Sequence, residues 1–251
     1  MKLKLKIVLI LVVIGLLLLL TGCSAITGDS SEDDGLLGGV LGDRSESVNI
    51  VVLLTILSVL PSILIMLTCF PRIIIVLSLI RNGMGMQQMP PNQVLVGLAL
   101  FLTFFIMSPV ISDINEQAYQ PYIEEEINEE EALEKAMEPV RGFMLKQTYK
   151  TDLEFFMSIS ENDQDAETIE EVSNTCLIPA FITSEIKRGF QIGFFIYIPF
   201  IVIDLIVAST LMAMGMMMLP PIMISLPFKI LLFIMVGGWN LVTQTIVGSF
   251  L

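Results

Sequence analysis

Histidine is absent from this chain of 251 residues, and cysteine is scarce. Without an imidazole, no histidine-ligated zinc site and no histidine-based nucleophile triad can be built. The three cysteines, Cys23, Cys69 and Cys176, stand too far apart in sequence for a cysteine metal cluster. Charge is scarce too: 16% of residues are Asp, Glu, Lys or Arg, against 54% that are hydrophobic. That balance, with apolar runs of bilayer length, excludes an ordinary soluble domain and indicates a membrane protein. Positive charge is in shortest supply, with 13 Lys and Arg against 26 Asp and Glu and a net charge of -13. Nucleic-acid binding, which needs cationic surface, is excluded on that ground. No glycine-rich phosphate loop is found either, so the sequence reads as a non-enzyme with no cofactor and no metal.

The acids that are present lie together. From Asp113 to Arg188 there are 19 Asp and Glu and 6 Lys and Arg, so this region carries the whole excess of 13. It opens with Glu124-Glu125-Glu126 and Glu129-Glu130-Glu131, read as a solvated helix face. Met137, Val140, Met144 and Leu145 then recur at helical spacing, which predicts an amphipathic helical stretch over 132–156, followed by an exposed loop over 158–171.

The N-terminus has the outline of a signal peptide: lysines alternating with apolar residues over 1–6, an apolar run over 7–20, and the small-residue exit Thr21-Gly22-Cys23-Ser24-Ala25. Cleavage after Ala25 is one reading. Acylation at Cys23 is another, because Leu20-Thr21-Gly22-Cys23 resembles a lipobox; an uncleaved anchor helix is a third. A Gly-, Ser- and Asp-rich linker follows over 26–47.

Four further apolar segments, at 48–70, 94–111, 190–212 and 222–251, are each about one bilayer crossing in length. They predict an all-α membrane protein of two kinked apolar helical hairpins, at 48–111 and 190–251, around an acidic extracytoplasmic helical insertion at 112–189. The link over 71–93 holds Arg72 and Arg81 with no acid, which places it on the cytoplasmic side. Pro61, Pro71, Pro109, Pro199, Pro220, Pro221 and Pro227 interrupt the segments, as expected of helices packed inside a bundle. Asp204 and Lys229 are charges within apolar runs and need partners. The midpoint of their positions falls between Met216 and Met217, so an antiparallel hairpin would set them level, as a pair within one subunit or between neighbours. The stretch from Leu211 to Lys229 carries six methionines. Unbranched and polarizable, such side chains can close on one another and repack around varied surfaces.

Six stretches resemble one known family: Leu57-Ser-Val-Leu-Pro-Ser-Ile-Leu-Ile-Met66, Arg72-Ile-Ile-Ile-Val-Leu-Ser78, Gln87-Gln88-Met-Pro90-Pro91-Asn92-Gln-Val-Leu95, Leu100-Phe-Leu-Thr-Phe-Phe-Ile-Met-Ser-Pro109, Phe190-Gln-Ile-Gly-Phe-Phe-Ile-Tyr-Ile-Pro-Phe200 and Met214-Gly-Met-Met-Met218. The chain is identified by them as similar to the FliP family of flagellar type III secretion, which shares its Gln-Gln-x-Pro-Pro-Asn core with the injectisome R component. The resemblance implies a core export-gate subunit in the cell membrane at the flagellar basal body. There about five copies would join FliQ and FliR in a closed helical pore, with FlhA and FlhB alongside, for unfolded flagellar proteins to pass. It also implies a methionine gasket at Met216, Met217 and Met218. Two other classes compete. A secondary transporter or ion channel using Asp204 and Lys229 would show internal inverted repeats, and no repeat is read between the two hairpins. A lipid-anchored surface protein built on Cys23 leaves the later apolar segments without a purpose.

Overall fold

The computed structural model describes residues 46–86, 89–160, 172–216 and 219–250. The expected leader at 1–25, Cys23 and nearly all of the expected linker at 26–47 lie outside them, as do most of the loop expected over 158–171 and the residues Gln87, Gln88, Met217 and Met218. Among the described residues every regular element is a helix. The order is α1 Glu46–Met66, α2 Phe70–Gly83, α3 Asn92–Ile114 with its π-helical and α-helical continuations Asn115–Tyr119 and Gln120–Ile123 (α4), α5 Glu129–Gln147, α6 Lys150–Ile159, α7 Asn174–Ala213, α8 Pro221–Met235 and α9 Gly238–Gly248.

Residues 92–123 and α7 are each long and apolar enough to cross a membrane, and α8 with α9, bent by 64° at their junction, make a third such unit if taken as one. At 40 residues, α7 is about 60 Å long. It starts sixteen residues before the apolar segment that reveals it, because Asn174 to Gly189 is helical but carries charge, and it runs through the expected boundary at 189/190. The prolines interrupt less than expected. Pro61, Pro109, Pro199 and Pro227 lie inside helices that continue past them, and Pro71 and Pro221 sit in first turns. A proline removes one backbone bond and can bend a helix, whereas in a first turn it removes a donor that has no intrahelical partner anyway.

The larger departure concerns 71–93. Ile73, Val76, Leu77 and Ile80 recur at helical spacing and are all buried, so most of the expected cytoplasmic link is α2, the centre of the larger core. Thr68 makes the break between α1 and α2: its hydroxyl donates to the Ile65 carbonyl at 2.7 Å and accepts from the Phe70 amide at 3.3 Å. Around α2 pack Leu95, Ala99, Met107 and Val110 of α3, Phe200 of α7, Phe233 of α8 and Val242 and Ile246 of α9. A second core, with Met144, Leu153, Leu177, Ala180 and Phe181, fastens α5 and α6 to the first half of α7.

Helix α2 runs parallel to α7. A Cβ on Gly189 would lie 3.2 Å from Ile75 and 3.3 Å from the Arg72 carbonyl, one on Gly193 would collide with Leu79, and one on Gly83 would lie 2.7 Å from Tyr197. The Gly189-x-x-x-Gly193 spacing is what lets the two backbones approach. Because α3 and α8 return from the ends of α2 and α7, the molecule has two ends. At one, the start of α2 meets Glu185 and the C-terminal residues; at the other lie the turns after Gly83 and Ala213. The acidic run also has a local role, since Glu129, Glu130 and Glu131 form the first turn of α5, capped by Asn128, whose side chain accepts from the Glu131 amide at 2.8 Å. Carboxylates at a helix N-terminus face its positive end and stabilise it.

Candidate functional site

Helices α7 and α8 form an antiparallel hairpin closed by the methionine-rich turn. Chain reversal there needs Gly215, at φ +75°, in the left-handed region that glycine enters without steric cost. The Pro220-Pro221 pair then starts α8, with fixed φ and no N–H to satisfy at the first helical position. Met212, Met214 and Met223 are 58%, 68% and 71% exposed, and Met216 is 37% exposed. The described residues of the turn thus form an unburied apolar tip on the longest helix among the described residues.

Asp204 and Lys229 meet below this tip. The Lys229 Nζ donates to Asp204 Oδ2 at 2.6 Å and to the Gly83 carbonyl at 3.1 Å, while Ser225 donates to Asp204 Oδ1 at 2.6 Å. The contact is within one subunit. The Lys229 side chain is 4% exposed and that of Asp204 35%, so the lysine is enclosed and the carboxylate looks outward. The pair lies ten residues of α7 short of Met214, or about 15 Å along the helix axis. Lys229 therefore ties three helices together: its own, α7 through Asp204, and α2 through a C-terminal carbonyl, one of the groups a helix cannot bond internally.

Arg72 lies at the opposite end. Its side chain and that of Glu185 are both fully buried, and the two form a bidentate pair in which Nε donates to Oε2 at 3.0 Å and Nη2 to Oε1. Nη2 also donates to Gln147 at 3.0 Å, and Nη1 to the carbonyl and hydroxyl of Ser249, each at 3.0 Å. The guanidinium lies 3.7 Å from the centre of the Phe250 ring, a favourable cation–π placement. One residue of α2 thus collects α5, α7 and the C-terminus. The expected cytoplasmic placement of 71–93 counted Arg72 as one of its charges, whereas Arg72 is fully buried in an internal ion pair. It touches Glu185, from the segment expected on the other side of the membrane, so charge counting across these two segments does not give their sides. Arg81 is half-buried and closes the α2–α3 hairpin by donating to Asn92 Oδ1, beside Pro90 and Pro91. Sequence reasoning misses Glu185, Gln147 and Ser249. The signal that points to Glu185 is its place four residues before Gly189, where α7 makes its closest approach to α2.

The model of the FliP family matches residues 53–246. The chain belongs to the FliP family. It is 54% identical over 206 residues to the flagellar biosynthetic protein FliP of Bacillus subtilis, spanning 82% of this sequence and 93% of that one. It is 54% identical over 204 residues to the FliP of Pectobacterium carotovorum, spanning 81% and 79%. Against the FliP of Aquifex aeolicus it is 50% identical over 210 residues, spanning 83% and 88%. The FliP match includes Arg72, Glu185, Asp204, the methionine turn and Lys229, and leaves out Cys23 and the rest of residues 1–52. Membership of the FliP family makes this a flagellar biosynthetic protein with a part in flagellar export, built on apolar helices able to cross a membrane.

Proposed function

We propose that this protein is a core subunit of the flagellar export gate, and that its methionine turns, contributed by several copies, form a compliant seal. The copies, about five by family resemblance, join FliQ-like and FliR-like subunits around one axis, with FlhA and FlhB alongside. Unfolded flagellar proteins pass through the middle. The observation that carries this reading is the tip itself. Methionines exposed at the end of the longest hairpin have no purpose in an isolated subunit and have one where they meet others of their kind. Side chains with three rotatable bonds can exclude ions when packed together and reshape around a passing polypeptide. The Asp204–Lys229 pair fits the support of such a hairpin better than it fits an ion relay, because the two groups bond to each other while Asp204 also accepts from Ser225 and Lys229 also donates to the Gly83 carbonyl.

The decisive experiment is native mass spectrometry of the detergent-extracted protein after co-expression with its FliQ-like and FliR-like neighbours. A discrete hetero-oligomer holding several copies of this subunit is the expected result. A monomer or simple dimer that excludes those neighbours overturns the proposal and moves the reading to a transporter.

A further inference from the structure

The two turns of the molecule share a sequence. Met84-Gly85-Met86-Gln87-Gln88-Met89-Pro90-Pro91, between α2 and α3, and Met214-Gly215-Met216-Met217-Met218-Leu219-Pro220-Pro221, between α7 and α8, are identical at five of eight positions, 130 residues apart. The backbone repeats too. Gly85 has φ +76° and Gly215 φ +75°. The Met84 and Met214 amides donate four residues back, at 3.0 and 3.1 Å, and the Gly85 and Gly215 amides three residues back, both at 3.0 Å. Each first helix therefore ends in a left-handed glycine, and each second helix starts at a Pro-Pro pair. The hairpins point the same way, because α2 is parallel to α7, so the repeat is parallel and not inverted. The charges hide it in the sequence, since they do not share it: position 74 is Ile where Asp204 would stand, and position 99 is Ala where Lys229 would stand.

The copies are used differently. The difference is at their starts: Met84 is 1% exposed and Met214 68%, whereas Met89, near the end of the first turn, is also 68% exposed. A Cβ on Gly85 would lie 3.5 Å from Leu226, 3.8 Å from Ile222 and 3.9 Å from Lys229 Nζ, whereas one on Gly215 would meet nothing within 4 Å. Ile222 and Leu226 lie in the first turns of α8, immediately after the exposed turn. The start of the first turn thus lies against the root of the second.

We propose that the turn opened by Met84 and Gly85 is the seat of the gate hairpin, a fixed copy of the methionine turn against which the root of α8 is held, with Gly85 as its positioning residue. The inference rests on the reading of the exposed turn as the seal. Met84 is buried and Gly85 half-buried, whereas Met214 and Gly215 are exposed, and packed backbone opens locally less often than exposed backbone, so the seat holds Ile222 and Leu226 while the tip deforms, and the tip returns to one position after a polypeptide has passed. Gly85 must keep a left-handed backbone for this. A β-branched residue there is strained, whereas asparagine tolerates the conformation.

The test uses the complete gate, purified with its partner subunits and placed in planar bilayers, comparing Gly85→Val, Gly85→Asn and Met216→Ser. The seat predicts that Gly85→Val assembles to the native mass and leaks ions about tenfold more than the parent, the population shift expected of a strained left-handed residue. It also predicts that Gly85→Asn stays tight, a rescue that loss of packing alone would not give. If Gly85→Val does not assemble, Gly85→Ala carries the same test, with leakage supporting the seat and a tight gate overturning it. Leakage from Met216→Ser with a tight Gly85→Val gate overturns the seat and leaves the seal standing. A tight Met216→Ser gate overturns the seal itself.

Discussion

Arg72 and Lys229 are both cations held in apolar surroundings at opposite ends of one bundle, yet their sites are built in different ways. Arg72 is paired bidentately with a carboxylate as buried as itself, and its remaining donors go to Gln147 and Ser249. Lys229 is enclosed, but its partner Asp204 keeps about a third of its side chain open, and the third contact is a backbone carbonyl. Along α7 the two carboxylates are 19 residues apart, about 28 Å and close to a hydrocarbon thickness. No charge lies between Gly189 and Ile203. The difference teaches that the Arg72 end is a lock, with every partner internal to the subunit. The Lys229 end is a brace, close to an exposed tip and with one group still able to meet a neighbour. Buried ion pairs give little net stability over an apolar replacement but are severe to break on one side only.

The largest effect belongs to breaking the lock. Glu185→Ala leaves a fully buried guanidinium without its carboxylate and should destabilise the subunit by about 3–5 kcal/mol, seen as loss of the extracted protein or a large drop in its melting temperature. The double change Arg72→Met with Glu185→Leu should recover much of that, because two apolar side chains leave no charge behind. If the double variant is no better than Glu185→Ala, the pair is needed for more than neutralisation. At the brace, Asp204→Asn should cost about 2 kcal/mol, between the exposed and buried limits, and should reduce swimming in soft agar out of proportion to protein level. Exchanging the residues, Asp204→Lys with Lys229→Asp, should restore export only in part. An aspartate at 229 can rejoin the pair but cannot donate to the Gly83 carbonyl. Full restoration would show that the link to α2 is dispensable. The smallest change in stability is expected at the tip. Met216→Ser should alter stability by no more than about 0.5 kcal/mol, read from the melting temperature, yet raise the ion conductance of the assembled gate, and unchanged conductance would argue against a seal.

Much of the candidate site is legible along the chain. Asp204 and Lys229 stand out because a charge in an apolar run needs a partner, and their spacing about the methionine turn places them level in any antiparallel hairpin. The helical character of every long segment follows from the same apolar runs. Less legible is α2. Its apolar pattern is visible, but Arg72 looks like the loop cation that ends a span, because sequence shows a charge and not what faces it. The length of α7 is hidden for a similar reason. Asn174 to Gly189 carries Glu185, Lys187 and Arg188, and hydropathy drops there although the helix continues. Single prolines at 61, 109, 199 and 227 mislead in the opposite direction, since a long apolar helix survives the loss of one bond.

By itself the sequence determined what is local: apolar helical segments long enough to cross a membrane, the prolines and glycines that punctuate them, and the acidic run that becomes the first turn of α5. Periodicity, hydropathy and φ preference act over a few residues and need no distant partner. Only the tertiary structure decided which charge is a lock and which a brace, and which methionine turn starts from a buried residue and which from an exposed one. Those outcomes depend on side chains up to 177 positions apart, such as Arg72 and Ser249, brought together by the close approach of α2 to the glycines of α7, and desolvation at that contact fixes the role each charge can play.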